Sequence, residues 1–154
     1  MTVDVTLGGV DDPGVSELLA THIGHMRAIT PPEFVFAFDS DGLAAPHVSF
    51  FTAREGDELV GCGALAQLDA ERGEIKSMHV RESARGRGIA GAVLGRIEAH
   101  ARSLGLRSLW LETGVTDHFA AAQALYRAHG YEACGPFGSY TDNGHSAFFT
   151  KELS

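Results

Sequence analysis

One stretch constrains this chain more than any other. Glu74-Ile75-Lys76-Ser77-Met78-His79-Val80 reads as a strand, and Ile89 to about Leu104 reads as an amphipathic helix. Between them runs a loop carrying Arg85, Gly86, Arg87 and Gly88. A strand, a glycine-rich loop and a helix start, in that order, aim several backbone N–H groups and the positive end of a helix at one point. That geometry binds phosphate. Gly86 and Gly88 let the backbone come close and take φ values other residues avoid. Arg85 and Arg87 add charge and forked donors, which suits a ligand with more than one phosphate.

The rest of the chain supplies a frame for this loop. Thr2 to Leu7 alternates as a strand. Asp12-Pro13 marks a helix start, and Val15, Leu18, Leu19, His22, Ile23 and Met26 carry that helix to about Ala28, before Pro31-Pro32. Residues 31 to 47 mix alternating phenylalanines with breakers and read as a short helix or irregular lid. Val48–Ala53 and Leu59–Leu68 form a hairpin around Glu55-Gly56-Asp57, and a second turn leads into Glu74–Val80. Gly91 and Gly95, four apart on the helix after the loop, suggest close packing of that helix on the sheet. Then come a strand at Arg107–Glu112, a helix over 119–129, a short strand at Tyr131–Cys134, a turn-rich loop, and a last strand at Ser146–Thr150. Hairpins come first and β-α-β crossovers later. The expected class is α/β, with a mixed, mostly antiparallel central sheet and helices on both faces, in a single domain over 1–154.

Composition narrows the partners. The formal net charge of −8 argues against nucleic acid or an anionic membrane, which need a basic face. Arg81, Arg85, Arg87 and Arg96 are a local basic exception, suited to an anionic cofactor. No signal peptide and no apolar run of the ~20 residues needed to span a bilayer are visible, so a cytoplasmic location is expected. Cys62 and Cys134 read as buried, reduced thiols.

Gly86-Arg87-Gly88-Ile89-Ala90-Gly91 fits G-x-G-x-x-G literally. A dinucleotide fold, however, wants that turn directly after its first parallel strand, with an acidic residue roughly 20 positions on. Here Arg81 to Ala84 intervene, antiparallel strands precede, and Glu112 comes late.

The same residues, Arg85-Gly86-Arg87-Gly88-Ile89-Ala90, resemble the acetyl-CoA pyrophosphate loop of the GCN5-related N-acetyltransferases, Q/R-x-x-G-x-G/A. Ala122-Gln123-Ala124-Leu125-Tyr126, ending in Gly130-Tyr131, resembles a second segment of that family, and the element order over about 48–152 is similar too. The resemblance implies an acyl-CoA N-acyltransferase fold and acetyl transfer from acetyl-CoA directly to a primary amine of a small molecule, with no metal. It implies that Met78, His79 and Val80 flank the pantetheine arm and that Arg85, Gly86, Arg87, Gly88, Ile89 and Ala90 wrap the pyrophosphate. The thioester would lie where this strand diverges from the one holding Leu109 and Leu111. Tyr126 would protonate the departing thiolate, and Glu74 would act as base, with Glu112 as second candidate. Where many members place an asparagine, this chain has Phe119, so either Thr113, Thr116 or Asp117 substitutes or the contact is absent. A homodimer is compatible with the resemblance.

The remaining candidates carry weaker signals. His22 and His25 read as substrate-facing rather than as a metal pair, because a site needs more ligands. The His79 and His145 side chains read as ordinary, and Phe137 and Tyr140 as lining the acceptor pocket or simply packing. Asp39, Asp41 and Asp142 hint at a cationic acceptor. Three alternatives stay open: a CoA-binding sensor without transfer, a nucleotide-dependent oxidoreductase, and a peptide or protein N-acetyltransferase.

Overall fold

The computed structural model describes residues 3–31, 42 and 45–153. Among the described residues seven strands form one sheet: β1 (Asp4–Leu7), β2 (Val48–Glu55), β3 (Glu58–Gln67), β4 (Arg72–Val80), β5 (Ser108–Gly114), β6 (Glu132–Cys134) and β7 (Ser146–Glu152). Their spatial order is β1-β2-β3-β4-β5-β7-β6. Every neighbouring pair is antiparallel except β4 and β5, which are parallel and joined through helix α2 (Ile89–Ser103). The other helices among the described residues are α1 (Pro13–Ile29) and α3 (Ala120–Ala128). The expected mixed sheet and element order are observed. The lid expected over 31–47 falls for the most part outside the described residues.

Two cores lie on opposite faces of the sheet. One joins Phe51, Leu65, Ile75, Leu109 and Phe149 to Ile89, Val93, Leu94 and Ile97 of α2. Full burial of each such side chain contributes about 1.5–3 kcal/mol. The other joins Phe50, Cys62 and Ala64 to Val15, Leu18 and Leu19 of α1. Asp12 caps α1 by accepting from the Gly14 N–H at 2.9 Å, and it also pairs with Arg54 of β2. The GY end of the second motif is structural. The Tyr131 hydroxyl donates to buried Glu98 at 2.9 Å, and Lys151 reaches the same carboxylate at 3.0 Å.

Two expectations need correction. Gly91 and Gly95 do not seat α2 on the sheet. The residues that do are Ile89, Val93, Leu94 and Ile97, while a Cβ at Gly91 would meet His129 and one at Gly95 nothing within 4 Å. The glycine that permits close packing is Gly63 of β3. A Cβ there would stand 2.7 Å from both Met78 Sδ and Val93 Cγ1. Gly63→Ala is expected to destabilise the protein by about 1–3 kcal/mol through overpacking, measurable as a lowered denaturant midpoint. The second correction concerns Cys134, which is only half-buried; Cys62 is fully buried.

Candidate active site

β4 and β5 pair only from Arg72↔Ser108 to Ile75↔Leu111. Beyond that point β4 continues to Val80 without β5, while β5 stays paired with β7 as far as Gly114↔Ser146. The sheet therefore opens at Lys76–Val80. A bulge marks the opening: the β3–β4 register shifts between Cys62 and Ala64. Opposite it, Ser77 takes a left-handed φ of 56°. The bulge breaks the alternation of side chains along β4. Met78 turns toward Gly63 and the α2 face, whereas His79 turns toward His22 and His25 of α1.

The loop after β4 has the shape its composition suggests. A single 3₁₀ turn, Glu82–Ala84, precedes Gly86 (φ 80°) and Gly88 (φ 78°), and a Cβ at either glycine would meet nothing within 4 Å. Gly88 is the N-cap of α2 and supplies no capping side chain. The first amides of α2 thus open onto a bare backbone, as an incoming diphosphate requires. The arginines are more committed than their spacing suggests. Arg87 pairs with Glu55 at 2.7 Å and donates to the Ser83 carbonyl at 2.9 Å, so it staples the loop. Arg85 Nε donates to the Val80 carbonyl at 3.3 Å, and Arg81 Nε donates to the Leu59 carbonyl at 2.6 Å. Arg96 lies over the Phe51 ring.

At the split between β4 and β5 lies a cavity of about 120 Å³. Glu74 and Lys76 reach it from β4, Glu112 from β5, Tyr126 from α3, and Tyr140 from the loop before β7. Glu74 is clamped: Tyr140 donates to its Oε2 at 2.6 Å and Lys76 to the same oxygen at 3.4 Å. Lys76 also donates to the Tyr140 hydroxyl at 3.1 Å. Burial raises the Glu112 carboxyl above its ordinary pKa, against a smaller lowering by a Ser146 hydrogen bond. Burial, and then the charge of Glu112, push the Tyr126 phenol far above its ordinary value. At neutral pH Tyr126 is a neutral donor beside a carboxylate with enhanced affinity for protons.

His22, His25 and His79 cluster between α1 and β4, with ring centroids 4.9 Å apart and tilted for His22–His79 and 6.2 Å apart and edge-on for His25–His79. Burial first, then the neighbouring His25, lowers His22 to about 4; burial first, then His22 and Arg85, lowers His79 to about 3. Both are held below their unfolded value of 6.5. The unfolded chain therefore binds more protons than the native one below that pH. Their neutral, packed state stabilises the fold fully above pH 6.5 and loses that contribution as pH falls toward 3–4. The melting temperature is expected to drop over this window, and His79→Asn is expected to flatten the drop. Among the described residues no group of three or more His, Cys, Asp or Glu side chains is placed to hold a metal ion.

The Acetyltransferase (GNAT) family model matches residues 17–131. The chain belongs to this family. It is an N-acetyltransferase. A Bacillus subtilis protein named YsnE, an uncharacterized N-acetyltransferase, is 41% identical over 139 residues, covering 90% of this chain and 92% of its own. An IAA acetyltransferase of Azospirillum brasilense is 44% identical over 131 residues, 84% of each chain. A Klebsiella pneumoniae crystal structure described as a putative acyl-CoA N-acyltransferase superposes with a TM-score of 0.82 at 27% identity, over 99% of each chain. The acyl-CoA N-acyltransferase fold expected of this GNAT chain is the fold observed.

Within this GNAT domain, Glu74, Met78 and Tyr126 meet at one cavity, which Glu112, Thr113, His22, Phe119 and Tyr140 also line. An adjoining cavity of about 480 Å³ takes in His79, Val80 and Arg85. Thr113 lines the cavity together with Phe119, while Thr116 lies 3.4 Å from His118 Nδ1. Asp142 is exposed, and His145 lies in an exposed turn; Asp39 and Asp41 are outside the described residues. Sequence reasoning missed Lys76 and Ser77. Lys76 was detectable as a cation two positions from Glu74, on the same strand face. Nothing in the sequence marks Ser77 as the bulge.

Proposed function

We propose that the protein transfers the acetyl group of acetyl-CoA directly to a primary amine of a small molecule, within one domain spanning 1–154. The observation that carries this reading is the split between β4 and β5, open at one end to the bare-backbone loop and at the other to a cavity holding Tyr126, Glu74 and Glu112. The amides of Arg85–Ala90 would hold the diphosphate, and the backbone of Met78, His79 and Val80 would run beside the pantetheine arm. The cavity is small, about 120 Å³, and its two carboxylates favour a cationic acceptor, with Lys76 balancing Glu74.

Transfer needs three things from the chain: a neutral amine, a polarised thioester carbonyl and a protonated leaving sulfur. Glu74, oriented by Tyr140 and Lys76, attracts the ammonium. Glu112 takes its proton. The Met78 N–H, beside the bulge, polarises the carbonyl. Tyr126 gives its proton to the thiolate as the C–S bond breaks and regains one from the nitrogen, which sheds its second proton as the amide forms. The proposed setting is the cytoplasm. The net charge is −8, and no helix among the described residues is long and apolar enough to cross a membrane.

Free-thiol release from acetyl-CoA, measured across a panel of primary amines, tests this. The expected result is amine-dependent thiol release matched mole for mole by acetylated product. Saturable binding with no release for any amine would instead indicate a CoA sensor.

A further inference from the structure

The Ser77 hydroxyl is the one buried side-chain polar atom among the described residues that lacks a hydrogen-bond partner. The residue is 8% exposed and lines the cavity at the strand split. It is also the one non-glycine residue described with a positive φ, at 56°. Its own carbonyl is fixed, because buried Cys62 Sγ donates to it at 3.3 Å. An orphaned buried hydroxyl costs the native state, and so does a left-handed serine. Their coincidence at the point where the sheet opens, beside Met78, marks a donor awaiting a ligand acceptor.

We infer that Ser77 Oγ–H donates a hydrogen bond to the carbonyl oxygen of the acetyl group, alongside the Met78 N–H. This rests on the reading of the site as one for acetyl-CoA. The acetyl oxygen is the acceptor the site needs: it is absent from the pantetheine arm and present only in the loaded cofactor. The hydroxyl therefore distinguishes acetyl-CoA from free CoA, favouring the loaded form and easing release of the product. As the amine adds to the carbonyl carbon, that oxygen gains negative charge and the bond strengthens.

The test is calorimetric titration of the full chain with acetyl-CoA and, separately, with CoA. It uses wild type, Ser77→Ala and Ser77→Gly and requires no knowledge of the acceptor. Ser77→Ala is expected to weaken acetyl-CoA by about 3–10-fold, the range of one neutral hydrogen bond, and to leave CoA unchanged. Ser77→Gly is expected to show the same selective loss while raising the melting temperature, because glycine relieves the left-handed backbone. That pairing separates the hydroxyl from a purely conformational role. Equal affinities for acetyl-CoA in wild type and Ser77→Ala would overturn the inference, as would equal weakening of both ligands. Wild type binding neither ligand would overturn the acetyl-CoA reading itself.

Discussion

Tyr126→Phe is expected to lower turnover by about 10²–10³-fold while changing acetyl-CoA affinity little, the signature of a lost general acid. The phenol is 6% exposed and stays protonated well past neutrality through burial and the neighbouring Glu112 charge. Phenylalanine keeps the ring, its edge contact with Tyr131 at 5.8 Å and its place in the core. Stability should therefore move little. Only the proton for the departing sulfur is removed. Unchanged turnover with a good acceptor would remove Tyr126 from the chemistry.

Glu112→Gln is expected to lower kcat/KM at neutral pH by about 10²-fold or more and to abolish the acidic limb of its pH profile. In wild type that limb should lie above the ordinary carboxylate range, because burial makes Glu112 hold its proton to higher pH. Activity falls as pH drops through that value, since a protonated carboxyl cannot accept the amine proton. Glu74→Gln is expected to act differently. Its carboxylate is already engaged by Tyr140 and Lys76, so its loss should raise KM for the acceptor more than it lowers kcat and leave the acidic limb in place. If the limb vanishes in Glu74→Gln and survives in Glu112→Gln, the two roles are exchanged.

The local signals in the sequence carried the frame of this fold. Period-two runs, the Asp12-Pro13 start and the glycine stops locate the strands and helices because each is decided within a few residues. The conformation of the loop after β4 was legible for the same reason, since Gly86 and Gly88 declare their backbone directly. The site's interior was not. Glu74 and Tyr140 lie 66 positions apart, and only the β5–β7 pairing and the turn before it bring the hydroxyl onto the carboxylate. The bulge at Ser77 was invisible because serine has no preference for a left-handed φ; the mismatch between β3 and β4 imposes it. That single residue decides that His79 rather than Met78 faces α1. The fates of Arg87 and Arg96 were equally non-local, fixed by Glu55 of β2 and the Phe51 ring.

Amide hydrogen exchange with and without saturating acetyl-CoA tests most directly whether the cofactor lies in the split sheet. Slowed exchange is expected at Met78, across Arg85–Ala90 and in the first turn of α2, with no change at β6 or at the Glu98–Lys151 contact. Unaltered exchange throughout Met78–Ala90 while acetyl-CoA is bound would place the cofactor elsewhere and contradict the account.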